Sequence, residues 1–123
     1  VMTWCSTMIS ALNGNMMQYM DSLRLLLDLP LTALLPGHGP PMPDPIPYIN
    51  DLIRRRTGRE RSIKRLLQEG SLETKEIVER LYPNRNAAPA HAVERNLLSH
   101  LEKLSADGQV CKTMDGKWAV AQP

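Results

Sequence analysis

A histidine held between glycines can bring its imidazole close to a metal ion. His38 stands in the run Pro36-Gly37-His38-Gly39-Pro40, directly after the apolar stretch Thr32-Ala33-Leu34-Leu35. Glycine lets a backbone approach a site closely and adopt positive φ. Neutral imidazole ligates zinc and iron. The same pentapeptide also fits a surface turn with an exposed histidine, and the pattern by itself leaves both readings open. His91 and His100 are nine residues apart and do not share a helix face at ligand spacing. With no Cys/His cluster around them, they read as surface or packing histidines. Cys5 and Cys111 belong to no CxxC pair and read as two free, partly buried thiols of a reducing, cytoplasmic setting.

A second group of chemistry-bearing residues is cationic. Arg54, Arg55, Arg56, Arg59, Arg61, Lys64 and Arg65 crowd one stretch, with Glu60 the only acid among them. Arginine forks suit phosphate oxygens. Such a run is equally a solvated helix face whose members pair with acids elsewhere. The formal net charge of the whole chain is only +2, too weak to argue for nucleic acid.

The elements that must carry these residues follow from periodicity and turn chemistry. The 123 residues suit one ordinary domain or two small ones. Met2 to Ile9 reads as a strand or extended segment. Asn15 is a good N-cap for a helix over Met16 to Leu29, whose apolar face is broad. Thr32 to Leu35 reads as a short buried strand, so this region reads β-α-β and ends at His38. The proline-dense stretch from Pro40 to Pro47 is expected to be an extended linker and boundary. Tyr48 to Glu69 reads as one long helix, with Thr57-Gly58 the place where it could relax, which Gly70 ends. Ser71 to Leu81 reads as a second, capped by Ser71 or Thr74. Ala90 to Ala106 reads as a third. Gln109 to Thr113 and Lys117 to Ala121 read as strands around an Asp115-Gly116 turn. Three helices and a hairpin is the order of a winged helix-turn-helix. The fold class expected is therefore α+β, with residues 1–47 as one unit and residues 48–123 as a winged-helix unit led by the basic helix.

The run Leu34-Leu35-Pro36-Gly37-His38-Gly39-Pro40 resembles the last metal-binding motif of metallo-β-lactamase-fold hydrolases. The segments Trp4 to Ser10, Asn13 to Met16 and Tyr19 to Leu23 resemble the approach to it. Leu52-Ile53-Arg54-Arg55-Arg56-Thr57-Gly58-Arg59-Glu60 resembles the helix that follows in a subgroup with a C-terminal winged helix, which includes a mitochondrial β-lactamase-like endoribonuclease and bacterial relatives. Arg56, Arg59 and Glu60 match that motif, and Arg55 stands where the subgroup often has His. Asn96 to Leu104 and Lys117-Trp118 continue the likeness, so it covers essentially the whole chain.

The resemblance implies an αββα sandwich, of which this chain holds a C-terminal β-α-β piece. It implies zinc as cofactor, His38 as a metal ligand, and phosphate or substrate contact by Arg56 and Arg59. The His-x-His-x-Asp-His cluster, the further His and the bridging Asp of the same motif set are absent. The chain is therefore expected to begin just after that aspartate. The expectation is a fragment that binds no zinc stably and is inactive alone, with the N-terminal metallo-β-lactamase region as partner and RNA or another phosphate-bearing molecule as substrate. A first residue other than Met fits a processed, cloned or proteolysed piece. Val1-Met2-Thr3-Trp4 lacks the pattern of a signal peptide, and no apolar run is long enough to span a bilayer, so no membrane is expected.

Two other readings stay open. One is a free-standing winged-helix module that binds nucleic acid. The helix Ala90 to Ala106 mixes His, Glu, Arg and Lys, which fits a structural or RNA-positioning role better than a sequence-specific DNA reader. The other is a homodimer formed through the Met- and Leu-rich helix.

Overall fold

A computed structural model describes residues 1–3, 7–12, 14–83 and 89–122. Four helices run α1 (Met16–Leu27), α2 (Pro45–Leu67), α3 (Thr74–Leu81) and α4 (Ala90–Ala106). The strands β1 (Val110–Lys112) and β2 (Trp118–Val120) follow. They pair antiparallel with Val110 opposite Val120 and Lys112 opposite Trp118.

α1 begins where its cap dictates. The Asn15 side chain accepts from the Gln18 amide, satisfying one orphan donor of the first turn. Met16, Met20 and Leu23 are buried at helical spacing. α2 starts at Pro45, three residues earlier than the prolines suggest. A first-turn residue has no intrahelical use for its N–H, so proline is tolerated there. Gly58 leaves the helix unbroken. α3 starts at Thr74, and neither Ser71 nor Thr74 caps it. Glu73 and Glu76 form a reciprocal capping box instead. The Thr74 hydroxyl accepts from Trp118 Nε1 at 3.2 Å, tying α3 to the wing.

The α+β class holds, but the expected β-α-β unit takes a different form. Residues 7–9 join no ladder, and residues 4–6 lie outside those described. Thr32 to Leu35 contributes a single bridge, Leu34 to Met42. A strand persists only with neighbours to bond, and among the described residues only Met42 pairs with this stretch.

Two apolar cores share α2. The larger gathers Ile63, Leu67, Ile77, Leu97, Leu101, Leu104, Val110 and Trp118 with their neighbours. It is the winged-helix core, and Leu72 adds a bridge to Trp118 at the sheet edge. The smaller gathers Ile9, Met16, Met20, Leu23, Ile49 and Leu52. Between them α4 reaches across: the buried Ser99 hydroxyl donates to the Ile9 carbonyl at 2.6 Å. Cys111 is exposed, not partly buried, because strand alternation turns it outward beside the inward Val110. Cys5 lies outside the described residues. Among those described, no helix is long and apolar enough to cross a membrane.

Candidate functional site

The loop that carries His38 is closed at its base by backbone. The Leu34 amide donates to the Met42 carbonyl at 2.9 Å, and the Met42 amide returns the bond at 2.8 Å. At its tip the loop meets the N-terminal segment. The Thr3 amide donates to the His38 carbonyl at 3.2 Å, and the Thr3 hydroxyl donates to the Pro40 carbonyl at 2.7 Å. Gly39 makes this approach feasible. Its φ is +97°, and a Cβ there would stand 2.7 Å from the Thr3 Cβ, so any other residue meets both strain and collision. Helix α2 fixes the far side of Thr3. The Tyr48 hydroxyl donates to the Met2 carbonyl at 2.5 Å and lies 3.3 Å from the Thr3 carbonyl.

The backbone of His38 is thus bound into a clasp while its side chain stays exposed. That arrangement fits one corner of a metal site: an exposed imidazole on a fixed loop, open to an incoming ion. It does not fit a complete site, since no three His, Cys, Asp or Glu side chains converge among the described residues. Thr3 and Tyr48 are the supporting residues that the sequence reading missed. Their partners lie 35 to 46 residues away, and no local pattern marks them.

The basic stretch divides into two kinds of arginine. Arg54 and Arg55 lie on the outer face and both pair with Asp51, at 3.3 and 3.0 Å. Arg56 is buried on the inner face. It donates to Asn96 Oδ1 at 2.9 Å and to the Thr7 carbonyl, and its guanidinium lies 5.2 Å from the centre of the Tyr19 ring. Arg59 donates to the Leu81 carbonyl at 3.0 Å and lies 4.2 Å from the centre of the Tyr82 ring. Leu81 ends α3, where carbonyls lack helical partners and a cation is favoured. Both arginines expected to contact phosphate therefore also hold the fold together.

The inner face of α2 reads Ile49, Leu52, Arg56, Glu60, Ile63, Leu67. It is apolar at both ends and ionic in the middle, so a charged layer separates the two cores. Glu60 accepts from Lys103 Nζ at 3.1 Å and sits 3.2 Å from His100 Nδ1. Lys103 also reaches Asp107 at 3.1 Å. Burial pushes the Glu60 carboxyl up, but the bonds from His100 and Lys103 outweigh it and hold the pKa below its ordinary value. Burial lowers the His100 pKa more than Glu60 raises it, and Arg56 and Arg59 add to the lowering. His100 is accordingly neutral, with its Nδ1–H aimed at Glu60. It is a packing histidine, as its lack of ligand spacing suggests, and it lies far inside. His91 is exposed on the first turn of α4.

Comparison with known proteins places these parts in a wider frame. Residues 74–118 match the beta-lactamase associated winged helix domain. Over 93% of its length the chain is similar to the beta-lactamase-like protein 2 homolog of Drosophila melanogaster, with 31% identity. A Caenorhabditis elegans protein of the same name is 32% identical over 75% of the chain. The chain spans 41% and 32% of those two proteins. A crystal structure of a beta-lactamase domain protein from Burkholderia ambifaria superposes with a TM-score of 0.80 at 23% identity. It covers 94% of this chain and 38% of that one, and the likeness is one of fold.

Proposed function

From a chain that is a C-terminal piece of a metallo-β-lactamase-fold protein with its associated winged helix, we propose that it serves a metal-dependent hydrolase by presenting His38 as one zinc ligand. The observation that carries this reading is the clasp around His38. Backbone bonds, a glycine with no room for a side chain and the Tyr48 anchor all fix the loop, yet the imidazole is left unoccupied by any of them. The remaining ligands would come from the part of such proteins that this chain does not span.

In such a site a bound metal supplies a water of lowered pKa as the attacking nucleophile. The residues of this chain contribute position. Gly39 and Thr3 set where the imidazole starts, and Tyr48 keeps Thr3 in place. The winged helix buttresses α2 and so holds the clasp from behind. By itself the 123-residue chain is expected to hydrolyse nothing. RNA and other phosphate-bearing esters are the substrates this reading favours.

The alternative, a winged helix that binds nucleic acid through α4, has less support. Ser99 and His100 of α4 are buried against Ile9 and Glu60, so part of the helix is spent on internal packing.

The whole protein should show metal-dependent ester or RNA hydrolysis that His38→Ala removes and His91→Ala leaves intact. Equal activity in both variants would refute the assignment.

A further inference from the structure

Residues 7–9 join no ladder, yet three side chains serve their backbone. Arg56 of α2 donates to the Thr7 carbonyl. From α4, Asn96 Oδ1 accepts from the Ile9 amide at 3.4 Å, and Ser99 donates to the Ile9 carbonyl at 2.6 Å. A serine hydroxyl has one proton to give. The Ile9 carbonyl is its shorter contact, with the Arg95 carbonyl at 3.1 Å. Asn96 Oδ1 also accepts from Arg56 at 2.9 Å, which joins the three side chains into one set. They satisfy backbone groups that a neighbouring strand would otherwise take.

The make-up of α4 fits this task. Val93, Leu97, Leu101 and Leu104 face the larger core. Beside them Asn96, Ser99, His100 and Lys103 recur at helical spacing as a polar stripe. A helix that served only that core would keep such a stripe in water. Ser99 and His100 are instead buried, at 2% and 1% exposure, against Ile9 and against Glu60 of α2.

The segment held in this way leads back to the clasp. Thr3 stands four residues before Thr7, and its amide donates to the His38 carbonyl. Helix α2 grips the segment at both places, through Tyr48 at Met2 and through Arg56 at Thr7. We propose that Asn96 and Ser99 are positioning residues for His38. By holding the backbone of residues 7–9, the winged helix sets where Thr3 lies, and so where the imidazole starts. The winged helix is then a working part of the metal site's geometry. The catalytic consequence rests on His38 being a metal ligand; the mechanical link from α4 to the clasp does not.

The link is read by hydrogen exchange in the 123-residue chain. Asn96→Ala should speed exchange of the Ile9 amide about tenfold, as loss of one hydrogen bond predicts, and should speed the Thr3 amide with it. Ser99→Ala should also speed the Thr3 amide. Asn96→Asp keeps the acceptor and should restore both amides. Val78→Ala truncates the α3 side of the larger core but leaves Asn96 and Ser99 in place, so it should lower global stability and spare Thr3. In the whole protein, the Asn96→Ala and Ser99→Ala variants should lower kcat about tenfold with KM unchanged and weaken zinc about tenfold, as loss of an outer partner does. Asn96→Asp should recover both. Faster exchange at Ile9 with Thr3 unmoved, Val78→Ala matching the two alanine variants at Thr3, or unchanged kcat and zinc affinity in both of them would overturn the proposal. A whole protein without metal-dependent hydrolysis would sink the His38 reading, while the Thr3 amide would still decide the link.

Discussion

The two ends of α2 meet very different surroundings. Around Ile63 and Leu67, helices α3 and α4 and both strands close in, and every partner lies within residues 63–120. Around Ile49 and Leu52, α1, the segment near Ile9 and the partly buried Val1, Leu31 and Leu34 close in. Among the described residues, the exposed large apolar side chains are Met8, Leu12, Leu25, Leu29, Leu35 and Met114. All but Met114 precede α2. The winged helix is therefore a finished core, while the region carrying His38 is held by one modest core and a few backbone bonds. Stability lies in the first and the chemical group in the second. This is a common division, since functional loops are drawn from the less stable parts of a fold.

The contrast can be broken most forcefully at its centre. Glu60→Ala leaves the buried His100 without its partner and Lys103 with Asp107 alone. It should cost about 3 kcal/mol, as removal of one member of a buried pair does, measured by urea unfolding. Acid should act on the same group. Because Glu60 and His100 both have folded pKa values below their ordinary ones, their contributions are present at neutral pH. The His100 part should fall away as pH drops below about 6.5 and the Glu60 part below about 4.3. A stability profile that rises on acidification would contradict the neutral assignment of His100.

Leu97→Ala and Met20→Ala sharpen the comparison from either side. Both residues are fully buried, and each truncation should cost about 2 to 3 kcal/mol. The location of the damage should differ. In hydrogen exchange, Leu97→Ala should expose both regions, because α4 supports each. Met20→Ala should expose residues 1–42 and spare α3, α4 and the hairpin. Uniform loss of protection in both variants would mean a single cooperative unit. The smallest effect belongs to Gly39→Ala, about 1 to 3 kcal/mol of local strain. It should free the Thr3 amide to exchange with little change in global unfolding.

Helix positions were legible because period and caps agree: Asn15 opens α1, and α4 runs over Ala90–Ala106 as its apolar spacing requires. The start of α2 was misjudged because proline signals a break in general and a beginning only in the first turn. The ionic layer was legible in principle. Arg56 and Glu60 are four residues apart and fall on the same face as Leu52 and Ile63. Residue type alone places such charges at the surface, whereas their phase on the helix places them inside. The clasp was not legible. Thr3, His38 and Tyr48 meet only through tertiary contacts, and nothing in their local sequence announces it. His38 itself was found through its glycines, one of which proves to need its positive φ.

The most direct test of the account is zinc titration into the whole protein of which this chain is the C-terminal piece, followed by calorimetry. His38→Ala should abolish one zinc site or weaken it by at least about a hundredfold, as loss of a direct ligand implies by exceeding the 10- to 100-fold effect of outer partners. His91→Ala should titrate like the natural protein. Zinc binding in His38→Ala with unchanged stoichiometry and affinity would contradict the central claim.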